Sequence, residues 1–178
     1  MINPFRRWVF PEIEAWYHSR VPKEQFPFYD LLGREHSRRL KQGRMREAYD
    51  WDDILKTIVR ETIGIQPPFT ITELVDKHAV PGKVWRFSDV LPTLKALRQA
   101  GVRMVVASNG FEVYQSPVTD CLQLTSFFDA FHTPDRLQTA KPRPEFFRFA
   151  EPGRIIHVGD RIDQDIVGAN RAGIVSVW

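Results

Sequence analysis

Apolar positions along the chain follow two different patterns. Up to about residue 80 they recur at helical spacing, and no run reads as a strand. Trp51, Ile54, Leu55, Ile58, Val59 and Thr62 fall on one helical face. Asp50 precedes that face as an N-cap, and Gly64 follows it where a left-handed C-cap is wanted. Thr70 and Glu73 form a capping-box pair ahead of Leu74 and Val75. Phe28 to Leu40 carries Leu31, Leu32, Glu35 and Arg39 at helical spacing, which predicts another helix.

Beyond Pro81-Gly82 the pattern alternates. Val90, Leu94 and Leu97 make a helical stripe that ends at Gly101, and the apolar run Val102 to Ala107 reads as a buried strand. Ser116-Pro117 is expected to start a helix, because proline is tolerated at the first helical position. Ala130-Phe131-His132-Thr133 reads as a second short strand, and Pro144 opens a helix through Phe146, Phe147 and Phe149. Ile155 to Val158 is expected to be a strand, Asp165 to Arg171 a helix and Ile174 to Trp178 a last strand. Strands alternating with helices imply right-handed crossovers and a parallel sheet. The expected division is a helical region, residues 1–80, and an α/β region, residues 81–178.

Composition narrows the class. With 178 residues, 43% of them hydrophobic, the chain has room for one ordinary core and is not disordered. A single cysteine, Cys121, excludes a disulfide scaffold and points to a reducing, cytoplasmic setting. No apolar run approaches the roughly 20 residues of a membrane helix, and Arg6, Arg7, Glu12 and Glu14 break up any signal-peptide pattern. The net charge of +3 suits an anionic substrate without indicating nucleic acid.

Three polar clusters follow the expected strands or sit in a loop that can reach them, where open parallel sheets bind ligands. Ser108-Asn109-Gly110 offers a hydroxyl and freed backbone N–H groups to a phosphate, although its composition also suits a plain strand-to-helix turn. Lys141, between Ala140 and Pro142, can supply a point charge to phosphate or stand as an exposed loop lysine. Asp160, Asp163 and Asp165 crowd carboxylates after an apolar strand. Such crowding needs a cation or hydrogen bonds to offset repulsion, and oxygen ligands of this kind suit Mg²⁺. The plain alternative is an Asp N-cap with solvated neighbours.

The order Val105-Val106-Ala107-Ser108-Asn109-Gly110, Ala140-Lys141-Pro142, His157-Val158-Gly159-Asp160 with Asp165, and Gly168 to Gly173 resembles the haloacid dehalogenase-like (HAD) hydrolase superfamily. The resemblance covers residues 85 to 178. It implies a Rossmann-like parallel sheet core with a helical cap, and a phosphatase that works with Mg²⁺ on a small phosphorylated substrate through an aspartyl-phosphate. Ser108, Asn109, Gly110 and Lys141 would hold the phosphate. Asp160 would contribute to the metal site with Asp165 in support, leaving Asp163 a solvated neighbour. A metal-free 2-haloacid dehalogenase shares the Ser-Asn-Gly and lysine motifs, and a non-catalytic interaction protein could use the same scaffold.

The family's opening motif, an apolar strand ending in Asp-x-Asp, has no counterpart ahead of Pro11. Phe28-Tyr29-Asp30-Leu31-Leu32-Gly33 echoes its wording, but Leu32 replaces the second acid and Pro27 spoils the strand, so Asp30 reads as a helix residue. The family's fold puts that strand in mid-sheet. The expectation is therefore a first core strand missing by truncation, an inactive chain, and association through unpaired sheet edges. Two other features stand outside these motifs. Arg34, Arg38, Arg39, Lys41, Arg44 and Arg46 read as a solvated cap helix that also raises the local concentration of phosphorylated substrate, without the aromatic platform that nucleic acid needs, and Cys121 reads as a small packed hydrophobe.

Overall fold

The computed structural model describes residues 4–148 and 154–178. A widened helical turn, Phe5–Val9, runs into α1 (Phe10–His18). The helices α2 (Phe28–Lys41), α3 (Trp51–Ile63), α4 (Ile71–His78) and α5 (Val90–Gln99) follow, and then β1 (Val105–Ala107) and α6 (Glu112–Cys121). The order continues with β2 (Ala130–His132), α7 (Pro134–Leu137), β3 (Ile156–Val158), α8 (Val167–Arg171) and β4 (Val175–Val177). Among the described residues no helix is long and apolar enough to cross a membrane.

The helix signals in the first half act as expected. The Asp50 side chain accepts from Asp53 N, and Gly64 closes α3 at φ +80°. Thr70 and Glu73 complete a reciprocal capping box on α4. Asp30 lies exposed in the first turn of α2, where a carboxylate favours the helix dipole. The basic stretch differs from the expectation of a solvated face, because Arg39 is 2% exposed. Its guanidinium donates to Glu35 Oε1 (2.6 Å), Glu47 O (2.9 Å) and Thr57 Oγ1 (3.2 Å), and pairs with Asp53. A buried cation must be paired and fully hydrogen-bonded, and here that requirement ties α2, the turn Glu47–Tyr49 and α3 together.

In the second half several boundaries move. Val102 and Arg103 lie outside β1 because they complete the end of α5: Gly101 turns at φ +72°, and Val102 N donates to Leu97 O. The sixth helix starts at Glu112 rather than at Ser116-Pro117, so Pro117 is interior. Its start is fixed from outside by Asp135, whose Oδ1 accepts from Glu112 N, and Ser116 Oγ donates to Glu112 O. The segment from Pro144 is a 3₁₀ turn, Pro144–Phe147; Phe149 lies outside the described residues. A wide turn, Ile162–Ile166, takes up the first part of the helix expected from Asp165.

The sheet forms two parallel pairs. In one, Val105, Val106 and Ala107 face Ala130, Phe131 and His132. In the other, Ile156, His157 and Val158 face Val175, Ser176 and Val177. No ladder joins β1 to β3 among the described residues. On the β3–β4 pair, Ile156, Val158, Val175 and Val177 form an exposed apolar face, while His157 on the other face is buried.

The larger apolar cluster runs from Phe5 and Val9 through Ile13, Ile54, Val59 and Val75 to Phe111, Tyr114, Val118 and Leu124. Tyr114 of α6 is 1% exposed, donates to Asp52 Oδ2 (3.2 Å) and accepts from Asp52 N (3.1 Å). Asp52 also accepts from Ile71 N and Thr72 Oγ1. Burial pushes the Tyr114 phenol well up, and the Asp52 charge adds to the effect, so it remains a neutral donor. A smaller cluster packs Phe146 and Phe147 on Ala169.

These two buried polar links make separate predictions for chemical denaturation. Tyr114→Phe should lose about 1–2 kcal/mol, because it leaves Asp52 N without its acceptor. Arg39→Ala should lose about 2–3 kcal/mol, since it leaves the Glu47 carbonyl without its donor and Glu35 with Arg38 as its remaining cation. Equal stability of either variant with the wild type would remove that link from the account.

Candidate functional site

The site forms where β1 and β3 end. Ser108 N donates to His132 O, continuing the ladder one residue past β1, and the chain then turns through Asn109 and Gly110. Ser108 Oγ accepts from Gly110 N (3.1 Å), which shapes the turn. The Gln115 amide lies close over Gly110, so a side chain there would have to displace it.

Asn109 is buried and organises the loops around it. Its Oδ1 accepts from Lys141 N (2.8 Å). Its Nδ2 lies 2.8 Å from Tyr49 Oη, 3.1 Å from Lys141 O and 3.2 Å from Gln164 Oε1. An amide nitrogen carries two protons, so three acceptors share two donors. One side chain thereby joins the loop after β1, the Lys141 loop, the loop after β3 and the helical region.

Lys141 is 7% exposed and follows a buried Ala140, with a cis peptide bond to Pro142. Its ammonium donates two of its three protons, to Asp165 Oδ1 (2.6 Å) and Ala107 O (2.8 Å). Asp165 is 3% exposed. It also accepts from His157 Nε2 (3.0 Å) and Arg161 N (3.0 Å). Burial pushes the Asp165 carboxyl up. The His157 and Lys141 hydrogen bonds, the Lys141 charge and the Arg161 N–H outweigh it and hold the carboxyl well below the usual carboxylate range. Gly159 makes this packing possible, because a Cβ there would overlap the Asp165 side chain.

Among the residues expected to matter, Ser108, Asn109, Gly110, Lys141 and Asp165 come together. Asp160 stands apart: its side chain is exposed, and among the described residues only its backbone carbonyl is hydrogen-bonded, by Trp178 Nε1 (3.3 Å). Asp163 pairs with Arg161 in solvent. Among the described residues no three His, Cys, Asp or Glu side chains form a metal centre. Asp160 offers one free carboxylate to a hydrated Mg²⁺, while Asp165 is committed to Lys141 and His157. That donor set alone does not fit a Mg²⁺ site.

Of three further contributors, one carried a weak sequence signal. His157 interrupts an apolar strand, which marks it as a buried polar residue in need of a partner. Tyr49 and Gln164 gave no pattern, because each acts through one long-range hydrogen bond.

The Asp165 cluster sets a pH dependence. A depressed native value means that its stabilisation is fully present above about pH 4, the unfolded carboxylate value, and is lost as pH falls through the lower native value. Melting of wild type beside Asp165→Asn should show a wide gap at pH 7 that narrows below pH 4. A gap independent of pH would contradict it.

Comparison with known proteins identifies the family. The haloacid dehalogenase-like hydrolase family model covers residues 28–173. A glyceraldehyde 3-phosphate phosphatase of Methanopyrus kandleri is 36% identical over 97 residues, 51% of this chain and 42% of that protein. One from Methanocaldococcus jannaschii is 26% identical over 71% of this chain and 58% of its own length. The chain thus spans about half the length of these relatives. A crystal structure of a HAD phosphatase from Thermococcus onnurineus superposes with a TM-score of 0.63 at 27% identity, covering 87% of this chain and 77% of that one. With the α/β fold, the Ser108 and Lys141 loops and the family match over most of its length, the chain belongs to the haloacid dehalogenase-like hydrolases.

Proposed function

We propose that this chain carries the phosphate-holding half of a phosphatase acting on a small phosphorylated substrate. The observation that carries the reading is the joining of Asn109, Lys141 and Asp165 at the ends of β1 and β3. The knot around Asp165 fixes the Lys141 ammonium, with one proton uncommitted, beside the Ser108 loop. The Ser108 hydroxyl accepts from Gly110 N and keeps its own proton for a second phosphoryl oxygen. Such preset donors stabilise charge on a transferring phosphoryl group at no reorganisation cost. The glyceraldehyde 3-phosphate phosphatase relatives support this substrate class over a haloacid.

In the proposed reaction a carboxylate attacks phosphorus in line, giving an aspartyl-phosphate that water then hydrolyses. The resemblance assigns that carboxylate to an Asp-x-Asp strand with no match before Pro11, and Asp30 is a helix residue. Two features support reading these 178 residues as part of a longer enzyme: the break between β1 and β3, and the partial coverage of relatives. Asp160 would be this chain's contribution to Mg²⁺, with the remaining ligands supplied from outside it.

Inorganic phosphate should bind the chain measurably by calorimetry. Ser108→Ala should weaken that binding about 3–10-fold, the worth of one hydrogen bond. Unchanged affinity would remove Ser108 from the site. Incubated with an aryl phosphate and Mg²⁺, the chain should show no turnover. Turnover that vanishes in Asp30→Asn would make Asp30 the nucleophile and overturn the reading of a missing strand.

A further inference from the structure

Gly110 is a glycine for a reason other than its backbone. Gly43, Gly64, Gly82, Gly101 and Gly173 hold positive φ angles, and Gly110 does not. Its conformation is therefore open to any residue. What excludes a larger residue is a neighbouring side chain. A Cβ on Gly110 would overlap Gln115 Nε2 and stand 3.5 Å from Ser108 Oγ. The missing Cβ thus makes room for the Gln115 amide beside the Ser108 hydroxyl.

Gln115 is the fourth residue of α6 and reaches back over the loop that precedes the helix. It is half-buried, and its amide has no hydrogen-bond partner among the described residues. Nor is the amide sealed in the interior, so solvent or a ligand can reach it. Nε2 and Ser108 Oγ both lie close to one point, which keeps them within about 6 Å of each other. Each hydrogen bond spans about 3 Å, so two donors at that separation can meet on one acceptor oxygen. Ser108 Oγ accepts from Gly110 N and has its own proton to give. The carboxylates beside the start of α6 are engaged elsewhere: Glu112 pairs with Arg136, and Asp135 Oδ1 accepts from Glu112 N.

We propose that the Gln115 amide is a phosphate-binding donor that acts with the Ser108 hydroxyl on the same phosphoryl group, and that Gly110 is what admits it. The proposal rests on the phosphate-holding reading and adds a residue of α6 to the strand-end loops. A neutral amide contributes a hydrogen bond without charge, while Lys141 supplies the charge.

The test uses the whole 178-residue chain, with inorganic phosphate and sulfate titrated by calorimetry. Gln115→Leu, similar in size but without donors, should weaken phosphate binding about 3–10-fold. Gln115→Glu keeps the shape and sets a carboxylate against the anion. Sulfate stays doubly charged between about pH 4 and pH 7, so it isolates the change at the protein. At about pH 7 the variant should bind sulfate at least about tenfold more weakly than wild type. Near pH 4 the gap should narrow, because the protonated carboxyl becomes a donor in place of the amide. A residue that only packs over Gly110 would give no such recovery. Unchanged phosphate affinity in Gln115→Leu, or a Gln115→Glu gap that does not respond to pH, would overturn the proposal. If both anions bind and weaken with Ser108→Ala while Gln115→Leu has no effect, Gln115 alone fails. If neither anion binds the wild type, the phosphate-holding reading fails and takes Gln115 with it.

Discussion

A carboxylate buried to 3% exposure must be compensated on every side, and the Asp165 carboxylate meets that requirement in a way that organises the whole site. It draws Lys141 inward, orients the His157 ring and bonds the turn at Arg161. Lys141 in turn reaches back to the Ala107 carbonyl at the end of β1. The two strand pairs share no backbone ladder among the described residues, so these side-chain bonds span the break between them. Gly159 and Gly168 are the steric conditions: a Cβ on the first would strike Asp165, and on the second would strike Phe147 and Pro142.

A second chain of bonds carries position from the helical region into the site. Arg39, buried between α2 and α3, holds the Glu47 carbonyl. The turn Glu47–Tyr49 then delivers the Tyr49 hydroxyl to Asn109. Two residue types that are costly to bury, an arginine and an aspartate, therefore each fix the backbone groups beside them, and Asn109 joins the two sets.

The caps of α3 and α4 were legible in the sequence because capping is local: Asp50, Gly64, Thr70 and Glu73 each act within four residues. Ser108 and Asp165 drew notice for a related reason, since each follows an apolar strand closely, whereas Lys141 drew notice only in a loop between Ala140 and Pro142. What could not be read was set at long range. The start of α6 depends on Asp135, 23 residues away, and it overrode the proline signal at Ser116-Pro117. Arg39 looked like part of a solvated charge run because, Glu35 apart, the groups that bury it come from the turn at Glu47 and from α3. Tyr49 lies 60 residues from Asn109, and no spacing rule connects them.

Tyr114 has a further consequence for how such a molecule can be rebuilt. It belongs in sequence to the α/β half, yet its ring packs on Phe5 and its hydroxyl closes the Asp52 network of the helices. Phe111, Val118, Leu122 and Leu124 join the same apolar cluster. The change of pattern near residue 80 is thus not where the packing divides. Exchanging the helical region for that of a relative would have to bring along the stretch from Phe111 to Leu124, or the graft would arrive without its own floor.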